Sequence, residues 1–280
     1  MVIFIYFVYF ILCSKIRATP PEDSKLNVLF IVVDDLRAEI GAYDSSIVQT
    51  PNMDQLAKRG MTFKRAYCQF SMCSPSRSSV LTGTRPDTTG VYDLTTMFRE
   101  RIGNDFLTLP GYFKAFGYET RGIGKVFHGS LNDPNSWSAN WQPCERPNYP
   151  TQFKDSPYSN ANKSSIKMEN TLADVLAPVM GSAQIDDEYF RDGVIARTSV
   201  HALRELSTHQ RPFFLAVGFV KPHLPFIAPT KYWDLYERSK LPTCSPHFQI
   251  DAPLFAIDIG GELFSFLDSA PLKPNKNKMK

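Results

Sequence analysis

The sequence predicts an α/β protein built on a doubly wound, largely parallel sheet, with its functional site at the carboxyl ends of the strands. Three observations carry that expectation. Two continuous β-branched and apolar runs, NVLFIVV at 27–33 and FFLAVGF at 213–219, have the pattern of strands buried on both faces. Helix-like and strand-like segments alternate between them. Polar residues stand where these strands stop, at Asp34-Asp35 and at Lys221-Pro222-His223, the place where open α/β sheets hold their ligands.

The elements follow in order. Residues 1–12 read MVIFIYFVYFIL and lead into small and basic residues up to Ala18. A membrane span needs ~20 apolar residues, so residues 1–18 fit a secretory signal peptide better, with a short membrane anchor as the alternative. After the first strand, Pro51-Asn52 opens a short helix that Gly60 closes. Residues 61–70 are strand-like. Thr108-Leu109-Pro110 starts a helix through Ala115 with Gly117 as its stop, and 118–123 is the next strand. Residues 131–185 are rich in Asn, Ser, Pro and Trp without clear periodicity and read as a long excursion or substrate-side loop. Helical spacing returns over 186–206, ahead of the strand at 213–219. No internal repeat is present.

Composition narrows the class. With 280 residues, 43% hydrophobic and 21% charged, the chain is no disordered tail, collagen-like fibre or disulfide miniprotein. A formal net charge of +3 gives no electrostatic footprint for nucleic acid or an anionic membrane. Cys68, Cys73, Cys144 and Cys244 follow the signal segment; an oxidising compartment permits disulfides among them, and the spacing selects none. Asn162-Lys163-Ser164 is a glycosylation sequon in a polar stretch.

Several residues are suited to chemistry. Cys73-Ser74-Pro75-Ser76-Arg77 places a cysteine at the start of a helix that runs to Gly83, because Pro75 belongs in a first helical turn. Helix N-termini favour anions, and Arg77 lies one turn on. A buried structural cysteine beside an ordinary cap is the alternative. Asp34 and Asp35 are adjacent carboxylates at a strand end, hard oxygen donors for Ca²⁺ or Mg²⁺ or else two solvated loop aspartates. Lys125 and His128, three apart in GKVFH, are anion ligands or a surface lysine and a satisfied histidine. His223 is a candidate proton donor. Lys221 beside it is an anion ligand or a solvated charge. His201, His209 and His247 match no motif.

The intact C-x-P-S-R followed by L-T-G, here Cys73, Pro75, Ser76 and Arg77 with Leu81-Thr82-Gly83, resembles the signature of the sulfatase family. Further stretches follow in that family's order: LNVLFIVVDDLR, TPNMDQLAKRGMTFKRAY, LTGTRPDTTGVYD, GYETRGIGKVFH and PFFLAVGFVKPHLPF. The resemblance spans residues 26–236, is weaker over 131–185, and points to the branch that cleaves the 2-O-sulfate of iduronate.

The resemblance implies an alkaline-phosphatase-like sandwich, a central largely parallel sheet flanked by helices and incomplete at the C-terminus. It implies that the formylglycine-generating enzyme oxidises Cys73 to formylglycine, whose hydrate supplies the hydroxyl that attacks sulfur. Asp34, Asp35 and converted Cys73 would hold one Ca²⁺. Arg77 would brace the nucleophile, and Lys125, His128 and His223 would serve catalysis and sulfate binding, with Lys221 as a further substrate ligand. The implied partner is a sulfated glycosaminoglycan such as heparan or dermatan sulfate. The implied location is the secretory pathway, in the lysosome or outside the cell, with no membrane contact after signal cleavage and no nucleic acid. Family members carry an Asp-His-Gly segment downstream that these residues lack. The expectation is therefore the N-terminal part of a catalytic domain over 19–280, without the C-terminal subdomain. Two other readings stay open: an inactive chain that binds sulfated glycans, and a related hydrolase of aryl sulfate, phosphate or phosphonate esters.

Overall fold

The computed structural model describes residues 25–144 and 180–243. The proposed signal segment, Asn162, Cys244 and His247 lie outside the described residues. The chain divides into two compact units, one formed by Met1–Glu145 with Arg191–His223, the other by Arg146–Phe190 with Leu224–Lys280.

In the first unit the apolar runs become strands, as their composition requires. With elements numbered along the chain, β1 is Val28–Val33, β2 is Glu119–Gly124 and β4 is Phe213–Phe219. β4 lies between β1 and β2 and runs parallel to both. Its alternating side chains build two cores, because successive residues of a strand point to opposite faces. Phe214 and Ala216 join Phe30, Val32, Leu81, Phe98 and Trp137 on one face. Phe213, Leu215 and Val217 join Ile123, Ile195 and Leu206 on the other. Each large apolar side chain fully buried in this way contributes about 1.5–3 kcal/mol.

Helices cover both faces, as a doubly wound sheet demands. Helix α6, Arg191–Leu206, supplies Ile195, Ala202 and Leu206 to the second core. Helix α5, Leu109–Ala115, packs Phe113 against Phe214 with ring centroids 4.7 Å apart. Thr108 caps α5 by accepting a hydrogen bond from the Gly111 N–H at 3.1 Å, which satisfies a donor the helix start leaves open. Helix α2, Cys73–Thr82, is neither amphipathic nor exposed: Ser74 through Ser79, Leu81 and Thr82 are all buried. Small side chains let that helix pass through the interior, and Gly83 ends it in the left-handed conformation at φ 67°. Helix α1, Pro51–Arg59, and the short helices α3, Pro86–Thr89, and α4, Arg99–Ile102, complete this unit.

The second unit pairs strand β3, Met180–Ala183, in parallel with β5, Phe226–Pro229. The four-residue helix α7, Thr230–Trp233, follows. Lys231 and the Tyr232 hydroxyl both donate to Asp187 Oδ2, at 2.9 and 3.0 Å.

Three expectations need correction. Residues 61–70 form turns and irregular backbone, with Met61, Phe63 and Tyr67 exposed, and pair with no strand among the described residues. The helix expected from 186 begins at Arg191, because Asp187–Tyr189 winds into a 3-10 turn first. β3 lies within the stretch read as a long excursion or substrate-side loop.

Candidate functional site

The first unit brings three strand ends and one helix start together. Asp34 and Asp35 follow β1, Lys125 follows β2, and Lys221 and His223 follow β4. Cys73 is the first residue of α2, with Met72 as its extended N-cap.

Two glycines hold the strand ends close. At Gly218 an added Cβ would lie 1.9 Å from the Lys125 carbonyl oxygen. Gly124, at φ 73°, turns the chain so that the Lys125 N–H donates to the Gly218 carbonyl at 2.8 Å. Lys125 is thereby carried over the end of β4.

Asp34 is fully buried. Its Oδ1 accepts from Arg77 Nη2 at 2.7 Å, and its Oδ2 accepts from Lys125 Nζ. Burial pushes this carboxyl up, but the charges and hydrogen bonds of Arg77 and Lys125 outweigh it and hold Asp34 at about 2. Arg77 is itself 2% exposed, and its Nη1 donates to the carbonyls of Lys125 and Val126, the latter at 2.9 Å. The guanidinium thus ties α2 to the end of β1 and to the turn after β2.

Cys73 Sγ lies 3.5 Å from Asp34 Oδ1, 3.9 Å from Asp35 Oδ1 and 3.9 Å from Lys125 Nζ. Asp35 adopts φ 52°, a left-handed conformation that Asp tolerates better than most residues. Its Oδ2 is 3.9 Å from His223 Nε2. The ligand atoms of Asp34, Cys73 and His223 all lie within 4.8 Å of one another. Two carboxylates converging on one side chain are hard donors suited to a divalent cation.

The cysteine is not an activated thiol. Burial pushes Cys73 up to about 12; Lys125 opposes this, and Asp34 and Asp35 reinforce it. A cysteine nucleophile needs the reverse, an electropositive setting that favours thiolate. The helix N-terminus alone suggests an anion-friendly position, and burial, reinforced by the adjacent carboxylates, overturns that suggestion for sulfur.

His128 is partly buried and shares a narrow recess with Arg77, Ser74, Ser78 and Thr96. Its Nδ1 is buried and has no hydrogen-bond partner among the described residues. Burial first, then the charges of Lys125 and Arg77, lower it to about 4. Lys221 is not a solvated charge. Its Nζ donates to the His223 carbonyl at 3.0 Å, and burial lowers it to about 8 despite the nearby Asp192.

Asp192, in the first turn of α6, is a residue the sequence reading missed. Its carboxylate accepts from the backbone N–H groups of Val220 and Lys221, both at 2.8 Å. The His223 N–H in turn donates to the Val220 carbonyl at 3.0 Å. Asp192 therefore fixes the turn that presents Lys221 and His223. A lone aspartate in an amphipathic helix carries no local signal for that role. His209 pairs with Glu119 at 2.8 Å and His201 is exposed, so neither joins this cluster. Cys73 and Cys144 form no disulfide within the described residues. No helix of the described residues is long and apolar enough to cross a membrane.

This arrangement coincides with a family match. The sulfatase family model matches residues 26–249. The chain belongs to the sulfatase family. It is 39% identical over 221 residues to mouse iduronate 2-sulfatase, covering 75% of this chain and 37% of that protein. It is 38% identical over 229 residues to human iduronate 2-sulfatase, covering 80% of this chain and 40% of that protein. This sulfatase chain thus spans about two-fifths of the length of those curated relatives. The crystal structure of the phosphonate monoester hydrolase of Agrobacterium radiobacter superposes with a TM-score of 0.54 at 21% identity, over 78% of this chain and 45% of that one. That likeness concerns the fold, the alkaline-phosphatase-like α/β architecture of parallel strands with flanking helices.

Proposed function

We propose that this sulfatase chain carries the nucleophile half of an enzyme that removes the 2-O-sulfate of iduronate from heparan or dermatan sulfate. The observation that carries the reading is the convergence of Asp34, Asp35, Lys125 and His223 on Cys73 at the start of a buried helix. The identity to iduronate 2-sulfatases supports the choice of sugar.

As a thiol with no cation bound, Cys73 is held in its protonated form chiefly by burial. Conversion to formylglycine, by the formylglycine-generating enzyme, would replace that inert group with an aldehyde hydrate that supplies the attacking hydroxyl. The donor set fits Ca²⁺ once oxygen stands where sulfur is, since Asp34 and Asp35 are hard carboxylates. A calcium ion held by them would supply charge to bind sulfate and polarise its sulfur.

This chain's own residues do the rest. Arg77 orients Asp34 and pins the Lys125 turn. Lys125, already against Asp34 and 3.9 Å from Sγ, offsets the charge of an entering sulfate. His128 enters as neutral imidazole with a free buried Nδ1, ready to hydrogen-bond an ester oxygen. His223 is placed to donate a proton to the departing alkoxide, and Lys221 adds positive charge beside it. The proposal includes a signal segment over 1–18, glycosylation at Asn162 and passage through the secretory pathway to the lysosome or cell exterior.

The substrate reading is tested with the chain secreted from animal cells and supplied with calcium at acidic pH. Initial rates are compared on a 2-sulfated iduronate disaccharide, an N-sulfated glucosamine disaccharide and a matched phosphate monoester. The proposal expects the iduronate ester to be the preferred substrate. Preference for either other ester contradicts it, and saturable binding of the disaccharide without turnover would favour a glycan-binding role instead.

A further inference from the structure

We propose that the chain whose Cys73 is still a thiol binds one thiophilic divalent cation of the zinc type, through Asp34, Cys73 and His223, in preference to calcium. The ground is the mixture of donors meeting at this point. Ca²⁺ takes six to eight oxygens, whereas Zn²⁺ takes four ligands drawn from thiolate, imidazole and carboxylate. The unconverted site offers one sulfur, one imidazole nitrogen and one carboxylate, with Asp35 alongside, and a water can take the fourth position.

Their spacing is close to what such an ion needs. Bonds of about 2.0–2.3 Å at a tetrahedral centre put ligand atoms roughly 3.3–3.8 Å apart. Cys73 Sγ to Asp34 Oδ1 is 3.5 Å, Cys73 Sγ to Asp35 Oδ1 is 3.9 Å, and His223 Nε2 to Asp35 Oδ2 is 3.9 Å. The Asp34, Cys73 and His223 donors as a group span no more than 4.8 Å. The three donors therefore lie near, and slightly wider than, the separations such an ion imposes.

Binding breaks the Cys73 S–H bond, forms a sulfur–metal bond and releases the proton to solvent, with no change in oxidation state. The ammonium of Lys125, which now lies against Asp34, moves aside as the ion takes its place. Conversion of Cys73 removes the soft donor and leaves oxygen in its position, so the chemical state of this one residue sets which class of cation the site prefers. Asp192 holds the turn bearing His223 from outside the donor set.

The test uses the full chain produced with Cys73 as thiol, verified by peptide mass, and titrated with Co²⁺ as a spectroscopic stand-in for Zn²⁺. One equivalent should give a sulfur-to-cobalt charge-transfer band and the intense visible bands of a tetrahedral centre. Zn²⁺ should bleach both, and a large excess of Ca²⁺ should not. Cys73→Ser should abolish the charge-transfer band, and His223→Gln should weaken Co²⁺ binding by more than about 10-fold, with circular dichroism unchanged in each. The proposal is overturned if the thiol chain gives no such band, if the band survives in Cys73→Ser, or if Ca²⁺ displaces Co²⁺ at equal concentration. No ester substrate enters the assay, so its outcome is independent of whether the chain hydrolyses sulfate.

Discussion

At the scale of single residues, the site is organised around a buried charge that cannot be left alone. Asp34 is fully buried and satisfied by Arg77 and Lys125. Removing one partner from such a pair costs about 3–5 kcal/mol because the other charge stays buried. Arg77→Ala should therefore destabilise the chain by about that amount in thermal or urea unfolding. A loss below about 1 kcal/mol would mean that solvent screens Asp34 and that the pair behaves like a surface one.

His128 makes a prediction with a defined sign. Its folded value, about 4, lies below the ordinary histidine value of 6.5. Between those limits the unfolded chain binds more protons, so stability contributed by neutral His128 is full above pH 6.5 and is lost as pH falls toward 4. His128→Gln should flatten the fall of melting temperature with acidification across that window. An unchanged slope would show that His128 protonates in the folded chain as easily as in solution.

At the scale of elements, what was legible depended on whether the signal was local. The strands β1 and β4 were readable because a strand buried on both faces must be continuously apolar or small, whereas β2, with Glu119 and Arg121 in it, was readable mainly from its place after the helix stop at Gly117. The Cys73 helix was readable from Pro75 at one end and Gly83 at the other. Residues 61–70 misled because apolar and aromatic residues form a strand only where another strand supplies a partner. β3 has four residues, MGSA, too short and too plain to register. Asp192 shows the same limit at the site, since its partners are backbone N–H groups 28 and 29 residues away. Asp192→Ala should cost about 1.5–3 kcal/mol for each charge-assisted bond lost. It should also broaden or shift the His223 ring resonances, and Asp192→Glu should recover part of the effect. Unmoved His223 resonances in Asp192→Ala would show that the turn holds its shape without this carboxylate.

At the scale of the whole molecule, a family expectation and an independent geometry meet. The motifs were contiguous in sequence, whereas the convergence of Asp34, Lys125 and His223 on Cys73 depends on strands β1, β2 and β4 ending side by side. The same three-strand arrangement explains why Gly218 must lack a side chain: an added Cβ would meet the Lys125 backbone. The central claim is that Cys73, once converted, is the nucleophile of a sulfate-ester hydrolysis. The most direct measurement is sulfate release from the 2-sulfated iduronate disaccharide by the secreted chain, with the Cys73 peptide read by mass and Cys73→Ala run in parallel. The account predicts release in proportion to the aldehyde-bearing fraction and none from Cys73→Ala. Equal release from Cys73→Ala, or no release from a chain fully converted at Cys73, would contradict it.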